Sequence, residues 1–99
     1  MSKIDKIIHQ PVRLKIVAAL AALRKDEQID FRTLSKMHNL TDGNLGAHLA
    51  KLEGAGYIQV NKSFVDKKPC TQVSLSAAGR KAFNAHVKAL EAILKGASE

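Results

Sequence analysis

Ninety-nine residues suffice for one domain with a modest core, and a single cysteine, Cys70, excludes an internal disulfide and fits a reducing cytosol. Sixteen Lys and Arg against nine Asp and Glu leave a net charge of +7, a surplus that points to a polyanionic partner for so small a domain. No apolar run approaches the roughly 20 residues needed to cross a bilayer. The charged opening MSKIDKIIHQ also lacks the apolar segment of a secretory signal, so a cytoplasmic protein with no membrane partner is expected.

With three Phe, one Tyr and no Trp, the core must come mainly from Leu, Ile, Val and Ala, which favours helices. Ser2 to Gln10 places Ile4, Ile7 and Ile8 at helical spacing. Pro11 interrupts this segment and suits the first turn of a new helix, predicted over 11–24. Val12, Ile16, Leu20 and Leu23 form one apolar face of that helix, and Leu14, Val17 and Ala21 form a second. A helix apolar over so much of its circumference is either central in the fold or shared with another subunit.

Ile29 is positioned to add a short strand residue. Asp30 is a good N-cap for a helix reaching His38, with Phe31, Leu34 and Met37 spaced for burial (30–38). After the turn at Asn39-Leu40, Thr41 caps a second helix (41–55). Leu45, Leu49 and Leu52 give it one apolar stripe, and Asn44, His48 and Lys51 give it a polar one. Two short helices joined by a tight turn form a helix-turn-helix, here recognised by spacing because the turn lacks glycine.

Tyr57 to Lys62 and Thr71 to Leu75 read as two strands, and Ser63 to Cys70 reads as a turn-rich basic tip between them. The whole makes a wing hairpin over 57–75. Ser76 caps a last helix (76–95), ended by Gly96. Phe83, Val87, Leu90 and Leu94 form one stripe on it, and Ala82, Ala85, Ala89 and Ala92 form another. The fold class is mainly α with a small β hairpin (α+β): a winged helix-turn-helix with an added C-terminal dimerisation helix.

The stretches TDGNL, HLAKLEGAGYI, KPCT and VSLSAAGRKAF, read in this order, resemble small winged-helix transcriptional regulators of the MarR/ArsR-like superfamily. The resemblance runs from Pro11-Val12-Arg13 to the final helix and implies a dimeric DNA-binding repressor or activator.

The expected chemistry follows from residue types. The recognition helix enters a major groove, where Asn44 can pair with adenine and His48 with guanine N7 or a phosphate. Lys51 meets the backbone, and Thr41 divides its hydroxyl between capping and phosphate. Lys62, Lys67 and Lys68 are the wing contacts, on the backbone or in a minor groove. Arg32, Lys36 and Arg80 are candidate backbone clamps, Arg80 alternatively pairing with Glu53. Asp42 is expected to face inward or to stabilise the helix dipole. Gly43, Gly46, Ala47 and Ala50 leave a low surface, suited to close approach by DNA or by the preceding helix.

A homodimer is expected through Ile4, Ile7, Ile8, Leu14, Val17, Val87, Leu90 and Leu94. Any small-molecule effector would bind at that interface, because a chain this short has no separate ligand domain. His9, His38, His48, His86 and Cys70 include no pair at ligand spacing, so no metal and no cofactor are expected. No arrangement of nucleophile and base suggests an enzyme. Two other readings stay open: a winged-helix protein-interaction module and a non-specific architectural DNA binder.

Overall fold

The computed structural model describes residues 4–96; the first residues of the segment read from Ser2 lie outside them. The chain runs α1 (Lys6–His9), α2 (Pro11–Ala21), β1 (Ile29–Asp30), α3 (Phe31–Met37), α4 (Asp42–Gly54), β2 (Ile58–Val65), β3 (Lys68–Leu75), α5 (Ala77–Leu94). The three strands form one antiparallel sheet in the order β1-β3-β2. Ile29 pairs with Val73 and Asp30 with Gln72, so the short strand suspected at Ile29 is real.

Local chemistry sets most of the boundaries. Asp30, Thr41 and Ser76 each turn a side-chain oxygen onto the amide three residues ahead, at Thr33, Asn44 and Gly79. These bonds satisfy N–H groups that a helix start would otherwise leave unpaired. Gln10 caps α2 in the same way with Pro11 in its first turn, but α2 stops at Ala21, three residues short of Arg24. Between α3 and α4, Asn39 takes φ 51°, the left-handed conformation for which a glycine is more usual.

The hairpin differs most from expectation. Ser63–Val65 and Lys68–Cys70 are not loop: β2 and β3 pair without a break out to Val65↔Lys68. Only Asp66 and Lys67 turn, with φ 51° and 66°, the two left-handed residues of a type I′ hairpin. Asp tolerates that conformation, so glycine is not required. Pro69 lies beyond the reach of β1 and therefore leaves no ladder bond unmade on that side.

α2 is central. Ile16, Val17 and Leu20 are buried, and they join Ile8, Leu34, Leu45, Leu49, Leu52, Ile58 and Val73 in a single core. Of the two explanations for its all-round apolarity, burial within one protomer wins. Ile8 and Val17 are fully enclosed in that core and therefore cannot meet a second subunit, contrary to expectation. Met37, spaced for burial, is in fact 55% exposed.

α1 is a single turn held by tertiary bonds. Asp5 Oδ1 accepts from the amides of Ile7 (2.8 Å) and Ile8 (3.1 Å), and its Oδ2 accepts from the Tyr57 hydroxyl at 2.5 Å. The Asp5 amide donates to Nδ1 of His86 on α5 at 3.3 Å. Arg13 Nε donates to the Ile7 carbonyl at 2.7 Å, tying α1 to α2. One aspartate thus connects the N-terminal segment to the chain following α4 and to α5.

Candidate nucleic-acid interface

Thirteen residues make α4 about 20 Å long at 1.5 Å per residue, enough to lie in one major groove. Leu45, Leu49 and Leu52 anchor it in the core, which turns Gly43, Asn44, Ala47, Ala50, Lys51 and Gly54 outward as exposed residues. A Cβ built at Gly43, Gly46 or Gly54 meets nothing within 4 Å. Packing within the domain therefore does not require these glycines. The low surface on α4 faces outside, and the preceding helix does not approach it.

His48 departs from the polar stripe. At 100° per residue it lies about 60° from Leu45, whereas Asn44 lies about 100° away. Its ring is consequently drawn against the body of the domain. Nδ1 is sealed from solvent without a hydrogen-bond partner among the described residues. Burial, assisted by the nearby Arg13 charge, pushes its pKa down. Of the expected base readers, Asn44 is exposed and His48 is half-buried with its Nδ1 turned inward. Thr41 is exposed, and its Oγ1 accepts the Asn44 amide at 3.2 Å. The cap thereby positions the residue beside it.

Arg32 and Lys36 are exposed on α3. Arg32 lines a cleft of about 510 Å³ with Asp30, Asp42 and the β3 residues Lys68, Cys70 and Thr71. The wing thus rises beside the starts of α3 and α4. Asp42 is exposed rather than inward-facing, so its part is to complement the α4 dipole. Lys62, Lys67 and Lys68 are all exposed on the hairpin.

Arg80 belongs elsewhere. Its Nη1 donates to the Ala21 carbonyl at 3.2 Å, closing the C-terminal end of α2, and it borders a separate open groove with Arg24, Lys25 and Gln59. A cation at a helix C-terminus satisfies an orphan carbonyl and suits the dipole. Arg80 thus acts as a helix cap and takes the Ala21 carbonyl as its partner in place of Glu53.

Three residues without a signal in the sequence also shape this region. Phe64 and Val65, near the hairpin turn, are 76% and 57% exposed. Gly79, in the first turn of α5, is buried against the Tyr57 backbone; a glycine inside a helix start gives no sequence signal of this kind. Among the described residues no group of three or more His, Cys, Asp or Glu is placed to hold a metal ion. No helix among them is long and apolar enough to cross a membrane.

A three-helix body with an exposed second helix of the helix-turn-helix and a basic antiparallel wing defines a winged-helix DNA-binding domain. The model of the winged helix DNA-binding domain family matches residues 12–94, and the chain belongs to that family. An uncharacterized protein of Methanocaldococcus jannaschii is 39% identical over 82 residues, covering 83% of this chain and 86% of its own length. A transcriptional regulator homologue from Pyrococcus horikoshii OT3 superposes with a TM-score of 0.81 at 29% identity, over 94% of this chain and 89% of that one. A mutant of MepR from S. aureus shares the fold at a TM-score of 0.70 and 17% identity, over 96% and 73% of the two chains. FabT of Streptococcus pneumoniae, solved in complex with DNA, shares it at a TM-score of 0.59 and 20% identity, over 91% and 64%.

Proposed function

We propose that this protein is a homodimeric, sequence-specific regulator of transcription that places α4 in the major groove and its wing on the flanking backbone or minor groove. The observation that carries this reading is the outer face of α4. It is bare of bulk at Gly43, Ala47, Ala50 and Gly54, and Asn44 and Lys51 stand exposed beside it. Such a helix lets base edges approach its backbone, while Asn44 supplies the bidentate amide that adenine pairs with. Lys51, Arg32, Lys36, Lys62, Lys67 and Lys68 contact phosphates, and Thr41 holds Asn44 in place. The transcriptional regulator homologue and the DNA complex that share this fold support the reading.

The test is anisotropy with a duplex that the protein selects from a randomised pool, against a scrambled duplex, at several salt concentrations. The selected duplex should bind at least about 1,000-fold more tightly than the scrambled one. Asn44→Ala should remove much of that preference while leaving the salt slope unchanged. Lys67→Ala with Lys68→Ala should weaken both duplexes and reduce the slope by about 1 to 2. Equal, salt-sensitive binding to both duplexes would make the protein an architectural binder. Absence of binding at low salt would leave the interaction module.

Dimerisation falls to α5 and the remaining apolar flank. Leu94 is 84% and Ile93 51% exposed, and Val87, Leu90, Leu14, Ile4 and Ile7 are half-buried. Adjacent apolar side chains at the end of a long helix fit a second copy. A two-fold dimer sets two α4 helices on half-sites about 34 Å apart. Sedimentation should give a dimer at tens of micromolar, and Ile93→Glu with Leu94→Glu should give a folded monomer. A monomeric parent protein would sink this part of the reading.

A further inference from the structure

The outer half of the wing carries an apolar group that the fold does not use. In the β2–β3 register Val60 faces Val73, Lys62 faces Thr71 and Phe64 faces Pro69. Side chains two apart share a face of a strand, so all three pairs lie on one side of the ribbon. Val73 is core, so this side of the ribbon is the one packed on the helices, and the outer β3 residues Lys68, Pro69, Cys70 and Thr71 border the cleft shared with Arg32 and with Asp42 at the start of α4. The face bearing Phe64 therefore looks toward the end of the domain where α3 and α4 begin. Phe64 lies beyond the core, 76% exposed, with Lys62 two residues before it on the same face and Lys67 and Lys68 at the adjoining turn.

We propose that Phe64 is an apolar probe that enters the minor groove of duplex DNA beside the segment held by α4, its ring against a base step and the three lysines on the flanking phosphates. This rests on the DNA-binding reading above. Charge selects the occupant: a second copy of a chain with net charge +7 would bring lysines against lysines, whereas the walls of a minor groove are phosphate on both sides. The groove floor and sugar edges accept an apolar side chain that partly unstacks a step. Phe64 also separates two functions within the wing, since its contribution is independent of salt while that of the lysines is not.

Because Phe64 lies outside the core, Phe64→Ser should fold with the parent melting temperature. On the pool-selected duplex it should bind about 10-fold more weakly with an unchanged salt slope, whereas Lys67→Ala lowers the slope by about 0.9. With 2-aminopurine placed in turn at steps flanking the α4 contact, the parent protein should raise fluorescence at one step and Phe64→Ser at none. Parent-like affinity and fluorescence in Phe64→Ser would overturn the proposal yet leave DNA binding intact. Failure of the parent to bind any duplex would overturn the underlying reading instead. Loss of binding to phosphatidylglycerol vesicles by Phe64→Ser, with duplex affinity unchanged, would overturn it in favour of a lipid surface.

Discussion

Gly79→Ala should leave little folded protein, with a loss of about 3 kcal/mol or more in denaturant unfolding. A Cβ at this position falls 2.8 Å from the Tyr57 carbonyl carbon and 2.9 Å from Leu75 Cδ1, and closer still to the Tyr57 oxygen. Leu75 Cδ1 can swing aside, but the two Tyr57 atoms are backbone and cannot retreat cheaply. The Tyr57 oxygen accepts the Ser76 amide at 3.0 Å, and the Tyr57 amide donates to Leu52 at 3.0 Å. Ser76 in turn donates its hydroxyl to the Gly56 carbonyl at 2.7 Å while accepting the Gly79 amide at 2.9 Å. Widening this junction would pull α5 from the body and disturb the exit from α4. Gly46→Ala is the matched control, because its Cβ meets nothing within 4 Å. Removing a mid-helix glycine there should stabilise the fold by about 0.5–1 kcal/mol. Equal midpoints for the two variants would show that the α5 junction is looser than its geometry implies.

The contrast between Gly79 and Gly46 also marks where sequence reasoning stops. Helix starts at Asp30, Thr41 and Ser76 were legible because a cap acts over three residues. The apolar stripe of α4 was legible because its period is local, and with it the helix-turn-helix and the low outer face. The partial burial of His48 turns on a small angle. An offset of about 60° from a core leucine lies at the edge of the buried arc, and packing against the α2 side decides it. The capping bond of Arg80 was not legible because its partner, the Ala21 carbonyl, is 59 residues away and carries no side-chain signature. The long wing was hidden by a turn without glycine and by Pro69, both of which normally argue for loop. Asp5 attracted no notice, since its partners Tyr57 and His86 are 52 and 81 residues distant. The chemistry of the interface was therefore more readable than the contacts that hold it in place.

That Asp5–His86 contact leads to the second large effect: stability should fall as pH drops from 8 to 5. Burial lowers the pKa of His38, His48 and His86, with Lys15, Arg13 and His9 respectively adding to the shift, while Asp5 opposes it at His86. The unfolded chain takes up these protons first, as pH passes about 6.5, so below that value it binds more protons than the folded protein. Each such proton tilts stability by at most about 1.4 kcal/mol per pH unit. His38 and His48 keep part of their surface in water and contribute less; His86 is fully enclosed. Urea midpoints should fall between pH 8 and pH 5, with most of the loss below about pH 6.5. Asp5 acts in a lower window. Burial raises its pKa, but the Tyr57 hydroxyl and the amides of Ile8 and Ile7 outweigh this and hold it below 3.8, so its contribution is lost only as pH falls beneath that value. The same bond pushes Tyr57 up to about 12. His86→Leu separates the histidines. Its neutral ring accepts the Asp5 amide at Nδ1, leaving the proton on Nε2, which has no partner among the described residues. Leucine removes the orphaned Nε2 donor but leaves the Asp5 amide without its acceptor, so the variant should lose about 1 to 3 kcal/mol at pH 8. Between pH 6.5 and 5 it should lose stability less steeply than the parent. A parent protein that gains stability on acidification, or a His86→Leu variant with an unaltered slope, would show that His86 charges without leaving its place against Asp5.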